Sequence, residues 1–144
     1  MNVLVDTCVW SLFARRQKPG RGAAAQKRLV DEMVELIREG RVMVIGPIRQ
    51  EFLSGVKDAR QFETLCQLME GFADIELETA DYELAARFFN ACRSKGIQGT
   101  NVDLLICAVA HRRSLAVYTT DRDFNRYGKC IPLHLHKPRT KKGR

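Results

Sequence analysis

The sequence predicts an α/β fold: a three-layer α/β/α domain whose central sheet is mainly parallel and has four to five strands. Short apolar runs that suit strands buried on both faces alternate with longer segments whose apolar residues recur at helical spacing. This alternation favours a parallel sheet with helices on both faces. The 144 residues suffice for one domain, which we place at residues 1–136, followed by a flexible basic tail at residues 137–144.

The first strand is predicted at the start of the chain, where Val3, Leu4 and Val5 run directly into Asp6 and Thr7. A buried strand that ends in a carboxylate would place that acid at the carboxyl edge of the sheet, where open α/β folds bind their ligands. The remaining strands are predicted at residues 42–45, 75–77, 115–118 and 131–135.

Helices are predicted where apolar residues recur every three or four positions. Gly40 is placed to end the second helix, Pro47 suits the first turn of the third, and Thr79 can cap the fifth. The predicted helices span residues 8–14, 23–39, 47–53, 58–69, 80–95 and 102–112.

The cysteines and the apolar runs indicate the cellular compartment in which the protein resides. Five cysteines without a C-x-x-C pair favour reduced thiols over a disulfide framework or a zinc site. The start of the chain lacks the basic and apolar regions of a signal peptide, and the longest apolar run, residues 104–110, is too short to cross a bilayer. These features predict a soluble, cytoplasmic protein.

The net charge of +7 is concentrated at the carboxyl end of the chain. No acid follows Phe124, whereas the residues before it carry 17 acidic and 17 basic side chains. The basic residues after Phe124 are Arg126, Lys129, Lys137, Arg139, Lys141, Lys142 and Arg144. Such a tail favours a polyanion such as nucleic acid, and a solvated terminus that aids solubility is an equal alternative.

Four acidic residues are predicted to converge at one edge of the sheet. Asp6 and Asp121 follow two of the predicted strands, and the carboxyl ends of parallel strands lie at the same edge. Glu51 and Asp103 fall in the opening turns of helices that begin at that edge. Each acid alone has an ordinary explanation as a turn former or a solvated helix residue, and it is the combination that indicates a site.

Four carboxylates this close would repel one another unless a cation lies between them. Oxygen ligands favour Mg²⁺ or Mn²⁺, and an acidic metal site suits phosphodiester hydrolysis, because the metal orients the phosphate and stabilises developing charge. Thr7, Thr119 and Asp123 are candidate supporting residues, with local hydrogen bonds in turns as the alternative.

Four segments recur in the order of a known family: V-L-V-D-T, P-I-R-Q-E-F-L-S-G, N-V-D-L-L-I-C-A-V-A and Y-T-T-D-R-D-F, within residues 2–124. The ordered set resembles a PIN-domain ribonuclease, specifically a toxin of the VapC type. The resemblance implies four catalytic, metal-binding acids: Asp6, Glu51, Asp103 and Asp121. It also implies polar support from Thr7 and Thr119, and RNA cleavage that leaves 5′-phosphate and 3′-hydroxyl ends, with transfer RNA the favoured substrate. The implied partners are a second copy of the chain and a cognate antitoxin that inserts a basic side chain into the site.

Two other functions are alternatives to a ribonuclease. A catalytically inactive PIN-like module could bind nucleic acid or a partner through the basic tail, but the presence of all four acids argues against it. A haloacid-dehalogenase-like phosphatase also has an Asp at the end of its first strand. That group needs a second Asp two residues further on, and this position holds Cys8.

Overall fold

The computed structural model describes residues 1–15 and 19–140, in which short strands alternate with helices. The six predicted helices are confirmed, with each end within one residue of its predicted position. In chain order the elements are β1 (Val3–Val5), α1 (Thr7–Ala14), α2 (Ala23–Arg38), β2 (Val42–Met43), α3 (Gly46–Leu53), α4 (Ala59–Met69), α5 (Thr79–Ser94), α6 (Asn101–Arg112), β3 (Ala116–Tyr118) and α7 (Asp123–Tyr127).

The sheet has three parallel strands in the order β2-β1-β3. This confirms a parallel sheet and corrects the predicted number of four to five strands. Within the described residues, segments 75–77 and 131–135 form no strand, and each of the two regions makes one isolated bridge. The two bridges are Asp74 with Val44 and Leu135 with Val117. Helix α3 begins at Gly46, two residues after Val44, so little extended chain remains for a longer ladder there, and Pro132 lacks the N–H that a ladder needs.

The central strand β1 positions the edge at which the acids were predicted. Its three residues are completely buried, with β2 on one side and β3 on the other. Val5 lies opposite Tyr118, so β1 and β3 end side by side. Because the two strands are parallel, the residues that follow them leave the sheet at the same edge.

Two helix details differ from the sequence-based expectation. The N-cap of α5 is Glu78 and not Thr79, because the Asp81 carboxylate accepts a hydrogen bond from the Glu78 N–H at 2.8 Å and fixes the first turn one residue earlier. The five-residue helix α7 was not predicted; it follows the loop after β3 and buries Phe124 and Tyr127.

The core forms around the sheet from apolar residues of every layer. Trp10 is completely buried and contacts the rings of Phe13, Phe52 and Phe72 at centroid distances of 5.1 to 6.3 Å. Residues 104–110 of α6 are all buried, which explains why they form the longest apolar run of the sequence. In the part of the chain that the structure describes, no helix is long and apolar enough to cross a membrane.

The C-terminal segment lies against α2 as far as it is described. The Arg139 guanidinium donates to the buried Glu32 carboxylate and to Glu39, at 2.6 Å in each case. Burial raises the pKa of Glu32, but the hydrogen bonds and charge of Arg139 outweigh it and hold that pKa below its usual value. Residues 141–144 of the predicted tail lie outside the described residues, and its flexibility stays a prediction.

Candidate active site

Asp6 ends β1 and caps α1. Its N–H donates to the Tyr118 carbonyl at 2.9 Å, and its Oδ1 accepts from the Thr7 N–H at 2.8 Å. The Thr119 hydroxyl donates to Oδ2 at 2.9 Å. Burial raises the pKa of Asp6; the hydrogen bonds from Thr119 and Thr7 partly offset that rise, and the charge of Asp121 adds to it. The carboxylate is therefore fixed in place and costs free energy to ionise.

Asp103 lies in the first turn of α6, as predicted. Thr100 caps that helix, because its hydroxyl oxygen accepts from the Asp103 N–H at 3.1 Å. The Tyr127 hydroxyl donates to Asp103 Oδ2 at 2.8 Å. Burial raises the pKa of Asp103, a hydrogen bond from Tyr127 opposes the rise, and the charges of Asp6 and Asp121 add to it.

Asp121 lies in the short loop between β3 and α7 and is exposed. Its N–H donates to the Thr119 hydroxyl oxygen at 3.0 Å, and its own Oδ1 accepts from the Asp123 N–H at 2.9 Å. The Thr119 hydroxyl thus links the backbone of Asp121 to the carboxylate of Asp6. Asp123 contributes a backbone N–H to this loop, and its exposed side chain approaches Arg126 at 4.0 Å.

Glu51 lies in the second turn of α3 and is exposed. Its pKa is raised by partial burial first and then by the charges of Asp6 and Asp103. The charges of two other acids raise the pKa of a carboxylate in this way only when those acids lie near it in space. Glu51 is separated from each of these acids by more than forty residues of sequence, so the fold brings it to them.

The four predicted acids therefore act on one another electrostatically across four different elements. They are not yet arranged as ligands, since within residues 1–15 and 19–140 no three His, Cys, Asp or Glu side chains form a group that could hold a metal ion. Asp6 and Asp103 are held by hydrogen bonds from side-chain hydroxyls, whereas Glu51 and Asp121 are exposed, and the Asp121 carboxylate is held only by the Asp123 N–H of its own loop. Closure onto a cation would require movement of these two exposed side chains.

Two residues at the site were not predicted from the sequence. Cys8 Sγ lies 3.3 Å from the Thr119 hydroxyl oxygen and 3.7 Å from Asp6 Oδ2, and it accepts from the Thr120 N–H at 3.3 Å. In the sequence, Cys8 is notable only because it stands where a phosphatase motif has its second Asp. Tyr127 reaches the site from α7, a helix that the sequence did not reveal.

A sizeable concave space of the molecule lies away from the four acids. A cavity of about 630 Å³ is bounded by α2 and by Arg139 and Thr140, and none of the four acids lines it. The chemistry indicated by the acids therefore belongs to an open edge of the sheet and not to this cavity.

The model of the PIN domain family matches residues 3–129, a range that includes all four acids. The chain is similar to VapC ribonuclease Mb1587 of Mycobacterium bovis and to Ribonuclease VapC11 of Mycobacterium tuberculosis. Each is 32% identical over 127 residues, which covers 85% of this chain and 89% of the relative.

Solved structures with low sequence identity share the fold. The crystal structure of FitAcB from Neisseria gonorrhoeae superposes with a TM-score of 0.71 at 21% identity and covers 94% of this chain and 97% of that chain. VapBC2 from Rickettsia felis, bound to a DNA fragment from its promoter, gives 0.70 at 17% identity, covering 94% of this chain and 98% of that chain. Fold, family model and relatives agree, and the chain belongs to the PIN domain family as a relative of the VapC ribonucleases.

Proposed function

We propose that this protein is a metal-dependent endoribonuclease that hydrolyses RNA phosphodiester bonds and acts as the toxin of a toxin–antitoxin pair. The observation that carries the proposal is the convergence of Asp6, Asp103 and Asp121, with Glu51 beside them, at the edge where β1 and β3 end. The curated relatives are named as ribonucleases, which supports this reaction class.

The donor set fits a hard divalent cation. All four side chains offer carboxylate oxygens, the ligand type that Mg²⁺ and Mn²⁺ prefer. The pKa values of Asp6, Glu51 and Asp103 are raised by burial and by the charges of neighbouring acids, so a cation would relieve a repulsion that is already present. The Thr7 hydroxyl beside Asp6 is buried and has no hydrogen-bond partner among the residues that the structure describes, so it can donate to a water or a phosphate at the site. When bound, the cation would supply Lewis acidity and orientation for phosphate and water.

The residues of the chain have distinct roles in this proposal. Asp6 and Asp103 form the rigid part of the site, because each is buried or half-buried and held by a hydroxyl. Glu51 and Asp121 complete it from the exposed side. Thr119 keeps the loop that carries Asp121 attached to Asp6. Cleavage with this arrangement would leave a 5′-phosphate and a 3′-hydroxyl, as the family resemblance implies.

The proposed partners are an RNA substrate, a second copy of the chain and a cognate antitoxin. The VapBC2 structure named above supports an antitoxin partner, since it is an assembly of this fold. An acidic edge would accept a basic side chain from the antitoxin in place of the cation. All five cysteines are free, which accords with a proposed cytoplasmic location.

Removing divalent cations should silence the enzyme. Treatment with EDTA is expected to reduce cleavage of an RNA substrate to background, because the site would then lack the divalent cation that the reaction needs. Excess Mn²⁺ or Mg²⁺ should restore cleavage in the wild type. The fragment ends, mapped after brief induction beside an Asp6→Asn control, would identify both the substrate and the 5′-phosphate. Cleavage that resists EDTA would refute the metal-dependent mechanism.

The basic tail is proposed to strengthen RNA binding without taking part in the reaction. Replacing Lys141, Lys142 and Arg144 with glutamine should weaken RNA affinity and lower the salt dependence of log K by up to about 2, since a single strand contributes roughly 0.7 per neutralised phosphate. Arg139 stays unchanged in this variant because it is already paired with Glu32. An unchanged salt slope would assign the tail to solubility or to antitoxin binding.

A further inference from the structure

Tyr127 contacts one of the proposed metal ligands from outside the predicted site. It ends α7, and only 1% of its surface is exposed. Its hydroxyl donates to Asp103 Oδ2 at 2.8 Å.

The ring of Tyr127 is held firmly enough to fix the direction of this bond. It packs edge-on against Phe124, with centroids 5.3 Å apart and planes at 70°. Gly99 approaches the same region closely. A Cβ at that position would lie 2.3 Å from the Leu104 side chain and 3.4 Å from the Tyr127 ring. Leu104 is completely buried and follows Asp103, so the glycine allows the loop to close over the start of α6.

Asp103 is therefore fixed from two directions. The Thr100 cap fixes its backbone at the start of α6, and Tyr127 fixes its carboxylate from α7. One hydrogen bond sets the orientation of a carboxylate without using up its acceptor capacity, since its two oxygens offer about four lone-pair sites. Partners of this kind orient metal ligands, and their loss commonly weakens metal binding by about 10- to 100-fold.

We propose that Tyr127 is a positioning residue that aims the Asp103 carboxylate at a divalent cation. The inference rests on the proposed function, because it assumes that Asp103 is a metal ligand. It adds a residue that lies outside the four acids and reaches the site from a helix absent from the sequence-based prediction. Its consequence is that metal affinity depends on the packing of α7, although α7 supplies no carboxylate ligand of its own.

Calorimetric titration of Mn²⁺ into the metal-free protein tests the proposal without measuring cleavage. Tyr127→Phe should weaken Mn²⁺ binding by about 10-fold or more, because the Asp103 carboxylate loses its orienting donor. Tyr118→Phe is the matched control, since it also removes a buried, hydrogen-bonded hydroxyl. The Tyr118 hydroxyl donates to the Leu29 carbonyl at 2.8 Å, away from the acids, and this variant should bind Mn²⁺ like the wild type.

The outcomes separate the inference from the proposed function. Equal Mn²⁺ affinity of Tyr127→Phe and wild type would overturn the role of Tyr127. A wild type that binds no Mn²⁺, or binding that survives Asp6→Asn, would instead overturn the metal site itself. Adding Tyr127→Phe to Asp103→Ala should cause no further loss, because no carboxylate remains to be oriented. Melting curves of each metal-free variant, with the titrations carried out well below the lowest melting temperature, ensure that only folded proteins are compared.

Discussion

Replacing Asp6 with asparagine should abolish RNA cleavage, with the initial rate falling by about 10³-fold or more. Asparagine keeps the shape of the side chain but removes the charge that the proposed site contributes at the end of β1. A loss of about 4 kcal/mol in transition-state stabilisation corresponds to that factor. The measurement is single-turnover cleavage of the RNA identified by fragment-end mapping. Cleavage by Asp6→Asn within tenfold of the wild-type rate would remove Asp6 from the reaction.

The same substitution should leave the metal-free protein at least as stable as the wild type. Burial raises the pKa of Asp6, so its ionisation destabilises the folded state as pH rises above the pKa of an unfolded Asp, about 4. Asparagine caps helices about as well as aspartate and carries no such cost. The matched control is Asp58→Asn, which changes the exposed N-cap of α4. That variant should retain full cleavage, and urea unfolding at pH 7 compares the stability of all three proteins.

The fold was predictable wherever burial leaves a periodic pattern in the sequence. Strand β1 is buried on both faces, and it therefore appears as an unbroken apolar run that ends at Asp6. Helix α6 is buried over residues 104–110 and showed the same signal at greater length. Parallel strands then bring their carboxyl ends together, so the meeting of Asp6 with the loop of Asp121 followed from topology alone.

The rest of the structure depends on contacts between distant residues that leave no local pattern. Tyr127 and Asp103 lie 24 positions apart and on different helices, so their hydrogen bond depends on how α7 packs. The ion pair between Arg139 and Glu32 joins residues that are 107 positions apart. The composition of the tail predicted its positive charge but not this partner. The overpredicted strands show the same limit, because an apolar run at 75–77 reveals nothing about whether a neighbour is available for pairing.

A buried ion pair joins the helices behind the site. Asp81 has a completely buried side chain, and its carboxylate accepts from Arg112 at 2.8 Å and from Arg113 at 2.5 Å. Helices α5 and α6 pack against each other, and this pair links the first turn of α5 to the end of α6. Since Asp103 lies at the other end of α6, the pair also helps to hold the helix that carries it.

Replacing Asp81 with asparagine should destabilise the protein by about 2–3 kcal/mol at pH 7, because a hydrogen-bonded charge is removed from a buried position while its partners remain. Urea unfolding measures the loss. The matched control is Asp74→Asn, which breaks the pair between Arg49 and a carboxylate with 41% of its side chain exposed. An exposed pair contributes little, so this control should cost less than about 1 kcal/mol. Equal losses in the two variants would contradict a special role for burial.

The pH dependence provides a second and independent test of the Asp81 pair. Hydrogen bonds from Arg113 are the largest cause of a strongly lowered pKa of Asp81, with further lowering from the Glu78 N–H and Arg112. A lowered folded-state pKa stabilises the protein above the pKa of an unfolded Asp, about 4, and this stabilisation is lost as pH falls below that value. The difference in unfolding free energy between wild type and Asp81→Asn should therefore shrink by about 1.4 kcal/mol per pH unit below pH 4. A difference that stays constant from pH 7 to pH 3 would show that Asp81 contributes through packing and not through its charge.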